Sequence, residues 1–132
     1  MGRPYRLRGQ AITGESRGRT LGFPTVNLAV EPGRVLPGDG VYAGWAEVEG
    51  RRYGAAINVG VRPTFEAGDE SDEPRRTVEA HLLDFEGQLY GRTLALTFVE
   101  RLRPERCFES AKALAEQIAR DVKATRRVLG MA

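Results

Sequence analysis

The 132-residue sequence has few of the residues that build disulfides and metal centres, since it contains one cysteine and one histidine. Cys107 has no partner for an intrachain disulfide, and a free cysteine is typically a small buried apolar residue. His81 lies in a strand-like run, and neither residue has neighbours at metal-ligand spacing. The composition therefore favours neither a disulfide scaffold nor a His/Cys metal site.

Long hydrophobic runs are also missing, because no segment approaches the roughly 20 apolar residues that a membrane-spanning helix needs. The first residues, MGRPYRLRG, lack the apolar core of a secretory signal. Hydrophobic residues make up 41% of the chain and charged residues 29%, as in soluble globular proteins. We therefore expect one cytoplasmic domain covering residues 1–132, with no membrane partner.

Aromatic residues are scarce at 8%, and the net charge is only +2. Barrels that bind single-stranded nucleic acid stack bases on exposed aromatic side chains beside a basic groove. Here acidic residues nearly balance the basic ones and are interspersed with them. We expect no nucleic-acid partner, although a nucleic-acid-binding barrel remains a minor alternative.

Alternating apolar residues predict strands at residues 5–13, 41–48, 53–59, 77–85 and 93–100. In the third strand, Tyr53, Ala55, Ile57 and Val59 share one face. In the fourth, one face carries Val78, Ala80 and Leu82, and the other carries Glu79, His81, Leu83 and Phe85. In the fifth, Leu94, Leu96 and Phe98 lie on one side. Residues 66–76, EAGDESDEPRR, are predicted to be a solvated hairpin tip.

The hydrophobic period then changes to three and four residues, which predicts an amphipathic helix ending near Gly130. Its apolar positions are Phe108, Ala111, Leu114, Ala115, Ile118, Val122, Thr125 and Leu129. Strands followed by one closing helix, without βαβ alternation, favour an antiparallel barrel or sandwich with the helix packed against it.

The segment RGRTLGFPTVNL, residues 17–28, combines basic, glycine and oxygen-bearing residues on a constrained backbone. Residues 14–20, GESRGRT, resemble a P-loop but are one residue too short and have Arg19 where that motif needs lysine. Thr25 and Asn27 are two residues apart, so in an extended chain their oxygens point the same way. They could hold Mg²⁺ with ATP phosphates, or they could merely stabilise a turn.

Glu79 is a carboxylate in the middle of a predicted strand, on the same face as His81. Most strand glutamates at such positions are exposed to solvent. The functional alternative is a general base that accepts a proton from an attacking hydroxyl group. The residue types alone leave both readings open.

Six motifs in order resemble the riboflavin kinase (flavokinase) family. They are GFPTVN after RGR, GVYAG at 40–44, INVGVRPTF at 57–65, VEAHLLDF at 78–85, LYG at 89–91 and RLRPERCFES at 101–110. The similarity covers nearly the whole chain. It is nearest to the C-terminal kinase module of bacterial bifunctional riboflavin kinase/FAD synthetases.

The resemblance implies a six-stranded antiparallel Greek-key barrel with a C-terminal helix packed against it. It also implies transfer of the ATP γ-phosphate to the ribityl 5′-hydroxyl of riboflavin, giving FMN and ADP, with Mg²⁺. The adenylyltransferase module of the bifunctional enzymes has no counterpart motif in this chain, and two alternatives stay open: a stand-alone kinase, or a kinase module of a longer parent protein that also carries the adenylyltransferase. A non-catalytic flavin-binding barrel is the main alternative.

The resemblance also implies roles for individual residues. Glu79 is the expected base, and Thr25 and Asn27 are expected to contact Mg²⁺ and phosphate, with Val26 in place of the family's usual alanine. Residues expected to cover the nucleotide are Gly14, Arg17, Gly18 and Arg19. Residues expected to border the flavin are Arg103, Phe108, Glu109 (often Asp in the family) and Leu114.

Overall fold

A computed structural model describes residues 5–12, 25–29, 37–62, 75–85, 91–104 and 109–131. In chain order, its elements are β1 (Tyr5–Ile12), β2 (Thr25–Ala29), β3 (Gly40–Val48), β4 (Arg51–Arg62), β5 (Arg75–Leu82), β6 (Thr93–Arg103) and α1 (Ala111–Leu129). The described residues include no helix long and apolar enough to cross a bilayer.

The six strands form a closed antiparallel barrel in the order β1-β2-β5-β4-β3-β6. Strands β3, β4 and β5 follow one another as neighbours, and β6 returns to pair with β3, which is a Greek-key arrangement. Strand β1 closes the barrel by pairing with both β2 and β6. The expected six-stranded barrel with a C-terminal helix is therefore confirmed.

Apolar side chains from all six strands fill the barrel interior, as the alternation predicts. The interior cluster contains Leu7, Ala11, Val26, Leu28, Ala46, Val48, Ala55, Ile57, Val59, Val78, Ala80, Leu82, Phe85, Leu94, Leu96 and Phe98. The predicted faces of β4, β6 and the Val78–Ala80–Leu82 set are confirmed. Residues between these positions point outward, which is what makes an outer-face site possible.

Two predictions about β5 and the segment before it fail. Phe85 belongs to the interior rather than to the Glu79 face, because β5 ends at Leu82 and Asp84 adopts a left-handed φ of 59°. The strand alternation therefore does not continue to Phe85, whose ring packs edge-on against Tyr53 at 5.0 Å. The predicted hairpin tip is shortened at its end, since β5 already begins at Arg75, and residues 66–74 lie outside the described residues.

The last four residues of the 17–28 segment lie in a strand, although the segment as a whole shows no strand alternation. Residues 25–29 pair with both β1 and β5, and they bury Val26 and Leu28 in the interior. Asn27 lies between these two residues, so the alternation turns it outward.

Helix α1 packs on the outer side of the barrel against β3, β4 and β6. The Ser110 hydroxyl caps its start by accepting from the Ala113 amide at 3.1 Å, and Gly130 ends it in the left-handed conformation. On its apolar face, Ile118 and Val122 pack with Leu83 in a small hydrophobic cluster.

Side chains from the end of α1 and just after it lie over a small residue of β4. A Cβ atom on Gly54 would lie 2.6 Å from Sδ of Met131. Glycine at this position leaves room for the Met131 side chain directly over the strand.

Candidate active site on the outer face of the barrel

Three polar residues form a row across neighbouring strands on the outer face. Asn27 of β2 is paired in register with Glu79 of β5, and Glu79 is paired in register with Asn58 of β4. Directly opposed residues in a sheet point to the same side, with Cβ atoms about 5 Å apart. Their sequence neighbours fill the interior, so this row faces outward with Glu79 at its centre.

His81 contacts the central carboxylate. Its Nε2 atom lies 3.2 Å from Oε1 of Glu79, and the two side chains are only 11% and 21% exposed. A half-buried carboxylate with an imidazole beside it has fewer accessible orientations than a solvated surface glutamate. The contact therefore restrains the carboxylate, and the reading of Glu79 as a freely exposed strand residue does not describe its surroundings.

Thr25 is placed by its backbone alone, because its side chain lies outside the described part of the structure. The residue is paired in register with His81, two residues along the strand from the Asn27–Glu79 pair. The β2–β5 ladder thus sets Thr25 and Asn27 opposite His81 and Glu79.

Asn58 is the member of the row that we did not single out from the sequence. Its Oδ1 atom is buried and has no hydrogen-bond partner among the described residues. The outer positions of β4 around it are Gly54, Ala56 and Gly60, so Asn58 is a polar residue on a face of small ones. That contrast was readable in the sequence once the Tyr53–Val59 alternation had identified the inner face.

The row continues toward the helix. Val41 of β3 is paired with Asn58 on one side and with Arg103 of β6 on the other. The Arg103 guanidinium donates to both carboxylate oxygens of Asp121 on α1, at 2.9 Å each. Gln117 also donates to Asp121, at 3.0 Å. This polar cluster ties α1 to the sheet at the end of the row.

A second ion pair holds the last turn of the helix. Arg126 donates to both carboxylate oxygens of Asp84, at 2.8 and 3.1 Å. The hydrogen bond from Arg126 lowers the pKa of Asp84 from its usual 3.8, and the same bond raises the pKa of Arg126. This pair is solvent-exposed, unlike the Arg103–Asp121 pair.

Comparison with known proteins assigns the chain to a family. The sequence model of the family described as "Flavokinase: Riboflavin kinase" matches residues 1–129. The chain belongs to the riboflavin kinase family. The family membership inferred from the sequence motifs is therefore confirmed.

Similar proteins include a bifunctional riboflavin kinase/FMN adenylyltransferase from Bacillus subtilis, which is 40% identical over 92% of this chain and 37% of its own length. A solved riboflavin kinase from Trypanosoma brucei superposes with a TM-score of 0.68 at 27% identity, covering 97% of this chain and 81% of its own. A Streptococcus pneumoniae structure described as a macrolide-efflux protein has a TM-score of 0.81 at 33% identity, covering 93% of this chain and 38% of its own.

The chain spans only part of its bifunctional relatives. It covers 37% to 40% of the length of the first four curated proteins that it matches.

The riboflavin kinase motifs also predict residues that border the flavin or cover the nucleotide, and the structure describes only some of them. Leu114 packs against the apolar cluster under α1, and Glu109 is exposed just before the helix cap. Arg103 is engaged by Asp121, so its predicted border with the flavin would have to involve the remaining guanidinium surface. Five predicted residues lie outside the described residues: Gly14, Arg17, Gly18, Arg19 and Phe108. The roles assigned to all these residues stay predictions.

Proposed function

We propose that this chain transfers the γ-phosphate of ATP to the ribityl 5′-hydroxyl of riboflavin, producing FMN and ADP. Family membership supports the reaction class. The observation that carries the proposal for this chain is the pairing of Asn27 with Glu79 on the outer face of the barrel. This pairing places a neutral amide oxygen, which can bind the metal ion of a metal–nucleotide complex, beside a carboxylate, which can accept a proton from an alcohol.

Glu79 acts as the general base in this proposal. Its carboxylate accepts the proton of the 5′-hydroxyl as the oxygen bonds to the γ-phosphorus and the bond to ADP breaks. The His81 imidazole, 3.2 Å from Oε1, holds the carboxylate in one orientation and leaves Oε2 for the substrate. Most of the rate gain in phosphoryl transfer comes from such alignment and from charge stabilisation.

Thr25 and Asn27 are the residues that would hold Mg²⁺. The chemistry of the donors fits, because Mg²⁺ prefers hard oxygen ligands and takes its remaining ones from water and phosphate. Among the described residues, no three His, Cys, Asp or Glu side chains gather into a metal cluster. When bound, Mg²⁺ would neutralise phosphate charge, while Asn27 directs its side chain to the strand face that carries Glu79.

A longer parent protein would link this reaction to a second one. The relatives are named as both riboflavin kinases and FMN adenylyltransferases. We propose that residues 1–132 form the kinase domain and that an adenylyltransferase module in the parent chain uses the FMN that they produce.

The decisive experiment incubates the protein with riboflavin, ATP and Mg²⁺ and measures FMN by chromatography. Glu79→Gln keeps the shape of the side chain but removes the base, so we expect kcat to fall about 10²- to 10⁴-fold while Mg·ATP affinity is retained. Glu47→Gln is the matched control, because Glu47 is a strand glutamate with a 48% exposed side chain remote from this row.

Two results would contradict the proposal in different ways. Wild-type turnover in Glu79→Gln would remove the base assignment. Riboflavin binding without FMN formation in the wild type would favour the non-catalytic flavin-binding alternative.

A further inference from the structure

The carboxylate of Glu79 sits on a flexible side chain, and one contact restrains it. Asn27 and Asn58 flank Glu79 in register on the neighbouring strands. Among the residues that the structure describes, His81 is nevertheless the one side chain in hydrogen-bond or ion-pair range of the carboxylate. The orientation of Glu79 before substrate arrives therefore depends on His81.

The contact follows from the strand itself. Residues two apart in a strand point to the same face, so His81 and Glu79 stand side by side on the outside of β5. The Nε2 atom of His81 lies 3.2 Å from Oε1 of Glu79, within the reach of an N–H···O hydrogen bond, and the imidazole is largely buried. A buried ring has few orientations open to it, so a carboxylate bonded to the ring is confined with it.

A confined carboxylate affects the chemical step in particular. A base must meet the hydroxyl proton from one direction, and a freely rotating glutamate adopts that orientation only part of the time. The rotational freedom must be lost on the way to the transition state unless the fold has already removed it. A residue that fixes Glu79 in advance therefore raises the rate of transfer without adding affinity for either substrate.

We propose that His81 is a positioning residue, which donates a hydrogen bond from Nε2 to Oε1 of Glu79 and so fixes the base before the substrates bind. The inference deepens the proposed function and rests on it for the role of Glu79. It requires that the imidazole carry a proton on Nε2. His81 touches no reacting atom and acts on the reaction only through the carboxylate.

Two variants of similar size isolate the N–H donor. His81→Leu removes the donor, and His81→Gln keeps one at the end of the side chain. Single-turnover formation of FMN is followed by rapid quenching, so that slow product release does not hide the chemical step. We expect His81→Leu to lower this rate about 5- to 20-fold, the effect of freeing one long side chain. His81→Gln should recover most of the rate, and the Kd values of riboflavin and Mg·ATP should not change in either variant.

Two controls separate this role from a structural one. Asp84→Ala removes the exposed pair with Arg126 just beyond β5, so it should lower Tm while leaving the single-turnover rate unchanged. In a Glu79→Gln background, His81→Leu should cause no further loss of rate, because its effect passes through the carboxylate.

A spectroscopic measurement reads the contact directly. His81 is the only histidine of the sequence, so its ring nitrogens can be observed without overlap in the untagged protein. Proton–nitrogen correlation NMR identifies which of them is protonated. We expect a proton on Nε2 and a shift of the Nε2 resonance in Glu79→Gln, whereas the remote change Glu47→Gln should leave that resonance in place.

Three results would overturn the proposal: a wild-type transfer rate in His81→Leu, an equal loss of rate in His81→Leu and His81→Gln, or a proton found only on Nδ1. A loss of substrate affinity at an unchanged transfer rate would also overturn it and would assign His81 to binding. If neither variant folds, the NMR of the wild type and of Glu79→Gln decides. If the wild type makes no FMN, the proposed function fails by that observation alone, while an Nε2 resonance that responds to Glu79→Gln would still establish the hydrogen bond.

Discussion

Replacing Asp121 with alanine should loosen the attachment of the helix to the barrel. The change removes the carboxylate that accepts two hydrogen bonds from Arg103 and one from Gln117. The Arg103 and Asp121 side chains are only 17% and 9% exposed, so water cannot readily replace the lost partner. The variant therefore removes the carboxylate that accepts from two nitrogens of a largely buried guanidinium.

The expected loss follows from that burial. Removing one partner of a buried ion pair typically costs about 3–5 kcal/mol, and the residual exposure of Arg103 favours the lower end, about 3 kcal/mol. For a chain of 132 residues, this corresponds to a fall in Tm of about 10 °C. Urea and thermal unfolding followed by circular dichroism would measure both quantities.

Two further variants test the reasoning. Asp84→Ala removes the carboxylate of the exposed pair with Arg126, and it should cost clearly less than Asp121→Ala. The double change Arg103→Met with Asp121→Leu should recover most of the stability, because no buried charge is left unpaired. A loss from Asp121→Ala as small as the loss from Asp84→Ala would refute the argument that burial sets the strength of this contact.

Three other changes have defined outcomes. Gly44→Ala should destabilise the barrel by about 1–3 kcal/mol in urea titrations, because its Cβ would collide with the Thr97 carbonyl oxygen. Asp84→Asn should lower Tm at neutral pH but not well below pH 3.8. The Asp84 carboxylate has a lower pKa in the folded protein than in the unfolded chain, so it stabilises the fold at pH values above its unfolded-state pKa and loses that effect as the pH falls through its folded-state pKa. Asn27→Ala should weaken Mg²⁺-dependent ATP binding in calorimetric titrations while leaving riboflavin binding largely intact, and an unchanged ATP affinity would remove Asn27 from the nucleotide site.

Much of the barrel could be predicted because its interior obeys a period of two. Ala55, Ile57 and Val59 occupy the interior cluster together, as their spacing predicts. Phe85 breaks the pattern because a left-handed residue at Asp84 interrupts the strand. Hydrophobic spacing carries no information about a single backbone angle of this kind.

Only some of the residues of the candidate site could be predicted from the sequence. Glu79 and Asn27 stood out by their chemistry and their family motifs, but their pairing depends on which strands become neighbours in the closed barrel. Segments far apart in sequence come together there, and local patterns do not encode such partners.

Polar residues at buried positions were the least predictable. Asp121 and Gln117 lie on the packed side of the helix, where the apolar period leaves them unmarked. Asn58 was overlooked for a different reason, because the strand was assigned by its inner residues although the contrast of Asn58 with the small outer residues was visible in the sequence. The partner of a polar group becomes visible only when distant elements are assembled.

Strand β5 carries apolar interior residues and the polar residues of the outer-face row at alternate positions, so both sets depend on one alignment with the neighbouring strands. A slip of a single residue would turn Glu79 and His81 into the apolar lumen and expel Val78 and Ala80 to water. Such a misaligned barrel would be unstable and inert at once. One strand register is therefore required both for a filled barrel interior and for the row formed by Asn27, Glu79 and Asn58.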